Sequence, residues 1–204
     1  MHAGLTTVQV QPDDMDEMVS ILRTTVVPDV VRLGSLGTLV LTGRNIAKVV
    51  LIGFWESEAK AELLPTSGVL QEQMAKIAHT FSGMPNRQIY EVSVEALSPG
   101  KGESKYARFN YRQFPTSKMD DVVETYRDTV VPVVGARKGC VGCVLLTARD
   151  TGKLVSISLW ESVSDMRASL PPGDVDSIVG GPPLRELYEV KLNEGWGGKT
   201  AEDQ

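Results

Sequence analysis

Polar and apolar positions alternate one for one over residues 5–11: Thr6, Val8 and Val10 fall on one side, and Thr7, Gln9 and Gln11 on the other. That is the period of a strand. Met15, Met18, Val19, Leu22 and Val26 then recur at spacings of three and four, the stripe of an amphipathic helix. Pro28 lacks a backbone N–H and crowds the turn before it, so the helix is expected to end or kink near Val27. Residues 34–42 and 48–55 predict two further strands joined by a turn at Gly43-Arg44-Asn45. The second contains VVLIGFW, an uncharged run that suits a strand covered on both faces. A short helix over 56–64 stops at Pro65, and a longer one from Ser67 to about Phe81 carries Leu70, Met74, Ile77 and Phe81 together. A strand over 89–95 completes the order βαββαβ, a ferredoxin-like arrangement.

The pattern then starts again. At an offset of 104, Met15, Asp16, Val19, Arg23, Thr25, Val26, Val27 and Pro28 meet identical residues from Met119 to Pro132. At 105, Trp55-Glu56-Ser57 meets Trp160-Glu161-Ser162, and at 98 the pattern G-x-P-x-R-x-x-Y-E-V at Gly83 returns at Gly181. Three colinear blocks imply a tandem duplication, with repeats over 1–95 and 106–194, a Pro/Gly-rich linker over 96–105 and a flexible tail over 195–204. The repeats are unequal. From Trp55 to Tyr90 is 35 residues, but from Trp160 to Tyr188 only 28. About two turns of helix are missing from the second copy, between Pro171-Pro172-Gly173 and Gly180-Gly181-Pro182-Pro183.

Helices on one face of each four-stranded sheet leave the other face bare and apolar. A second sheet tethered in the same chain is the natural cover. The expected class is therefore α+β, two ferredoxin-like repeats packed sheet to sheet. With Trp55-Glu56-Ser57-Glu58 and Trp160-Glu161-Ser162 at the strand ends, the chain resembles the dimeric α+β barrel superfamily, in particular its antibiotic biosynthesis monooxygenase-like branch. The resemblance covers both repeats and implies an intramolecular dimeric α+β barrel. The activities it implies include cofactor-free oxygenation of aromatic substrates, heme degradation and lactone isomerisation. In the family's cofactor-free oxygenases an Asn stands four residues before this Trp; here those positions are Leu51 and Ser156.

Composition adds exclusions rather than a function. A net charge of −5 gives no general attraction to nucleic acid or anionic lipid. No apolar window is long enough to span a membrane, no secretory signal is visible, and two cysteines make no disulfide framework, so a cytoplasmic protein is expected.

The candidate ligand residues lie on two strands. Ser156, Ser158 and Trp160 share a face, as do Leu51, Gly53 and Trp55. Small residues beside an indole leave room for a flat ligand, or else admit a close helix and leave Trp in the core. Arg108, Asn110 and Arg112 share a face in residues 106–114, where the twin strand has uncharged Thr6 and Val8. They suit an anionic or phenolate ligand, or else an exposed sheet edge. His79 falls opposite the apolar helix stripe and is expected in solvent. Cys140 and Cys143, three apart in a strand, are expected on opposite faces as small buried hydrophobes. Arg87 and Arg185, recurring with Tyr90 and Tyr188, suggest shared scaffold.

Two functions remain open: oxygenation of an aromatic or quinone-type small molecule without metal, flavin or other cofactor, and noncatalytic ligand binding or scaffolding. The expected assembly is a monomer with pseudo-dimeric halves, or a homodimer.

Overall fold

The computed structural model describes residues 1–66, 68–98, 102–169 and 183–196. Its strands are β1 (His2–Gln9), β2 (Gly37–Gly43), β3 (Lys48–Trp55), β4 (Asn86–Leu97), β5 (Tyr106–Gln113), β6 (Cys140–Ala148), β7 (Lys153–Trp160) and β8 (Leu184–Glu194). They are hydrogen-bonded as one closed barrel in the order β1-β3-β2-β8-β5-β7-β6-β4. Within that ring β4-β1-β3-β2 and β8-β5-β7-β6 follow the same sequence, the order of a ferredoxin-like sheet. The class is α+β. The chain forms two compact units, Met1–Tyr90 with Glu189–Gln204, and Glu91–Tyr188.

In the first unit β1 pairs antiparallel with β3 from His2↔Trp55 to Gln9↔Lys48. The run in β3 is buried at nearly every position, as an uncharged strand requires. The helix after β1 does not stop at Pro28. It runs as α1 (Met15–Ile21), a π-helical segment Leu22–Val26, and α2 (Val27–Arg32). The proline has no N–H for the carbonyl four residues back, and the chain absorbs this by widening one turn. Val27 N–H accordingly donates to the Leu22 carbonyl, five residues back. The second unit repeats the device: α5 (Met119–Thr125), a π segment Tyr126–Val130, and α6 (Val131–Gly135), with Val131 N–H on the Tyr126 carbonyl.

Pro65 likewise falls inside α3 (Glu58–Thr66) rather than ending it. The longer helix is α4 (Gly68–Ile77), followed by a 3-10 turn Ala78–Thr80. Its Ile77 is fully buried with Val26, Val30, Val40 and Trp55, while Met74 and Leu51 pack against the same cluster. In the second unit α7 (Val163–Ala168) takes the place of α3. The Pro/Gly brackets at 171–173 and 180–182 and the shortened segment between them lie outside the described residues, as do linker positions 99–101 and tail positions 197–204. Where the tail is described, it is anchored. Trp196 is buried and stacks on Phe54 with ring centroids 4.5 Å apart, because an indole hidden on an apolar strand outweighs the polar composition around it.

Candidate ligand site in the second unit

β5 and β7 run antiparallel with Arg108 opposite Ser158, Asn110 opposite Ser156 and Arg112 opposite Leu154. Pleating sends Arg108, Asn110 and Arg112 to one face, beside Ser156 and Ser158. A cavity of about 80 Å³ opens over this face. Val122, Tyr126, Val130 and Val134 wall its other side, all from the α5–π–α6 segment. The π turn forced by Pro132 thus contributes Tyr126, Thr129 and Val130 to the lining. The space runs from Arg108, only 2% exposed, out to the exposed side chains of Val133 and Arg137.

The polar wall is held in place by its own hydrogen bonds. Asn110 Nδ2 donates to Ser156 Oγ at 3.2 Å, and its Oδ1 accepts from Arg185 Nε at 2.9 Å. Arg108 Nη1 reaches the Met166 carbonyl (3.3 Å), the Ser169 carbonyl (3.2 Å) and Ser169 Oγ (3.1 Å) at the end of α7. Its guanidinium lies over the Trp160 ring, 5.3 Å from the centroid, and Trp160 Nε1 donates to Ser158 Oγ at 2.9 Å.

Arg108, Arg112, Arg137 and Arg185 all line the cavity, and no carboxylate is among the described lining residues. In a chain of net charge −5 this is a local reversal of sign. Burial, and then the positive charge of Arg185, push the Arg108 guanidinium down to about 10. The Tyr126 phenol, which donates to the Val144 carbonyl at 3.3 Å, is pushed well above its ordinary value by burial. It stays neutral at physiological pH. No histidine lines the cavity among the described residues, so the lining offers hydrogen-bond donors and positive charge but no evident general base.

No family model matches the chain. An uncharacterised protein of Mycobacterium tuberculosis (strain H37Rv) is 25% identical over 199 residues, spanning 95% of this chain and 85% of that protein. A presumed monooxygenase from Fusobacterium nucleatum superposes with a TM-score of 0.74 at 14% identity, covering 97% of this chain and 95% of the other. An anthrone oxidase-like protein gives 0.69 at 14% identity, covering 98% and 95%. A presumed monooxygenase from Lactobacillus acidophilus gives 0.68 at 8%, covering 94% and 93%. With the eight-stranded closure, these likenesses decide the architecture. The chain has the dimeric α+β barrel fold.

The barrel distributes the residues singled out from the sequence unevenly. Arg108, Asn110, Arg112, Ser156 and Ser158 come together around the cavity. Trp160 lies beneath Arg108, fully buried. Trp55 stands apart, packed in the core of the first unit. The room expected beside it is taken by its own ring, since a Cβ on Gly53 would sit 3.0 Å from Trp55 Nε1. Arg108 is not on an exposed edge; the end of α7 covers it. His79 does face solvent, its side chain 58% exposed and 3.2 Å from Glu17.

Cys140 and Cys143 do not face opposite sides. A bulge sets Cys140 opposite Trp160 and Cys143 opposite Ser158, two positions apart on β7, and returns both thiols to one buried cluster. Tyr126, Arg137 and Arg185 were not among the candidates. The recurrence of Arg87 as Arg185 points to scaffold, yet Arg185 lines the cavity. The available signal was the strand β5, where an arginine stands at the position of Gly4.

Proposed function

We propose that the second unit binds a small, flat, anionic molecule, a phenolate or enolate, and that the barrel acts on it as a cofactor-free oxygenase. One observation carries the binding part: four arginines and no carboxylate among the described residues around a cavity otherwise walled by apolar side chains. Concentrated positive charge beside apolar surface favours an aromatic anion over a neutral ring or an inorganic ion. The void is roughly half the ~150 Å³ of an engineered cavity that takes up benzene. A fused-ring ligand would therefore sit partly in the mouth, near Val133 and Arg137.

The oxygenase part is supported by the names of the structural neighbours, a presumed monooxygenase and an anthrone oxidase-like protein. The chemistry suits a site without an evident base. The arginine field lowers the pKa of a bound phenol or enol, so the substrate ionises in place. Its carbanionic carbon adds dioxygen, takes one proton to give a hydroperoxide, and loses water to leave a carbonyl. Leu51 and Ser156, where the family's oxygenases carry Asn, favour the alternative of noncatalytic binding.

Binding of 1-hydroxy-2-naphthoate, followed by tryptophan fluorescence, and oxygen uptake with anthrone or dihydroxynaphthalenes separate the readings. Binding with oxygen uptake is the expected result. Binding without uptake of oxygen from any of these substrates leaves a binding module, and no binding removes both.

A further inference from the structure

In each unit the guanidinium of an arginine caps the same helix carbonyl, but a different strand supplies the arginine. In the first unit Arg87, from β4, donates through Nη2 to the Ala61 carbonyl at 2.9 Å and through Nη1 to Thr6 Oγ1 at 3.0 Å. It can do so because β1 carries a glycine beneath it: a Cβ on Gly4 would fall 2.3 Å from Arg87 Nη2. In the second unit the matching carbonyl is that of Met166, at an offset of 105 from Ala61. There the donor is Arg108, standing on β5 where β1 has Gly4. The registers agree, since Gly4 pairs with Gly53 and Arg108 with Ser158. Arg185, the counterpart of Arg87, keeps the bond to the side chain at the Thr6 position, now Asn110, and lines the cavity.

Resting on the binding reading above, we propose that Arg185 is the residue that receives the anionic oxygen of the ligand, and that Arg108 is a positioning residue. Arg108 occupies the helix-capping post and thereby keeps Arg185 from folding onto Met166 as Arg87 folds onto Ala61. The unpartnered Nε of Arg108 does not mark it as the ligand contact, because Arg87 Nε is unpartnered in the same way in a unit where the cluster of Ile77, Met74 and Leu51 fills the corresponding side of the sheet. The positive charges of Arg108 and Arg185 also repel, and an anion bound to Arg185 relieves that repulsion.

The test is a double-mutant cycle on 1-hydroxy-2-naphthoate binding, with thermal melting as the control for folding. Arg185→Gln should weaken binding at least about tenfold, the scale of one charge-assisted hydrogen bond. Arg108→Gly, which restores the glycine of the first unit, should weaken it by a similar factor although Arg185 is intact. The double variant should bind no worse than the weaker single variant, because both changes remove one contact. Losses that multiply would assign Arg108 its own ligand contact and overturn the proposal, as would full affinity in Arg185→Gln. If Arg108→Gly fails to fold, Arg108→Met replaces it, keeping an unbranched side chain over Trp160 but donating nothing to the Met166 and Ser169 acceptors; affinity equal to wild type would then count against a positioning role. Should the unaltered protein bind no naphthoate, the binding reading fails before this one is reached.

Discussion

The two units of this barrel use one strand-and-helix frame to opposite ends. Over the first unit's sheet, Leu51, Ile77 and Met74 join Trp55 in an apolar cluster, and Arg87 is occupied with helix and strand partners. Over the second, serines stand at the positions of Leu51 and Gly53, arginines at those of Gly4 and Val8, and a cavity lies open. The difference teaches what one frame can hold. The first unit is packed closed, whereas the second carries polar groups that would be costly in a closed core.

The largest expected effect tests the packing half of that contrast. Trp55→Ala should cost about 3–5 kcal/mol in urea unfolding, the usual scale for removing a buried aromatic ring. If Trp55 instead faced a ligand space, the loss would be far smaller and a ring-shaped ligand would restore it.

Next comes an exchange of character. Ser156→Leu gives the second unit the residue of the first. Burying a leucine in the cavity offsets the lost Asn110 bond, so stability should stay within about 1.5 kcal/mol. Naphthoate binding should nonetheless fall at least about tenfold by titration calorimetry. Unchanged binding would place the ligand elsewhere.

The effect of pH is smaller. Arg108 loses its proton near 10 in the folded state, below its ordinary value. Between there and the unfolded value the unfolded chain holds more protons, so this group's contribution to stability rises with pH over that window. Affinity runs the other way. Binding of an aryl sulfonate, charged throughout, should be level up to about pH 9 and weaken as the site loses positive charge through about 10. A profile level through pH 11 would show that Arg108's charge is not felt by the ligand.

The smallest effect is expected at His79. Exposed and on the first unit, its change to Ala should alter stability by less than about 0.5 kcal/mol and leave binding unchanged.

Much of the fold was written in local pattern. The period-two run of β1, the uncharged run of β3, the helical stripe from Met15 and the offsets of 104 and 105 needed only residue type and spacing to yield a ferredoxin-like order twice over. The site was legible in part. Arg108, Asn110 and Arg112 stood out because the equivalent positions in the first half are uncharged, and Ser156 and Ser158 because they are small and share a face with Trp160. For Trp55 the sequence left a ligand space and a core position both open, since a glycine two residues from an indole does not reveal that the indole itself lies on it; the structure places Trp55 in the core.

Residue type and spacing alone determined most of the strands and helices and which positions differ between the two halves, because alternation and helical stripes act within a few residues. Only the tertiary structure decided what those differences do. The π turn that carries Tyr126 into the wall depends on how Pro132 is accommodated, and the facing of Cys140 and Cys143 depends on one bulged residue. Arg108 holds the Met166 carbonyl while Arg185 bonds Asn110, an arrangement between groups 77 positions apart in the chain that no local pattern can record.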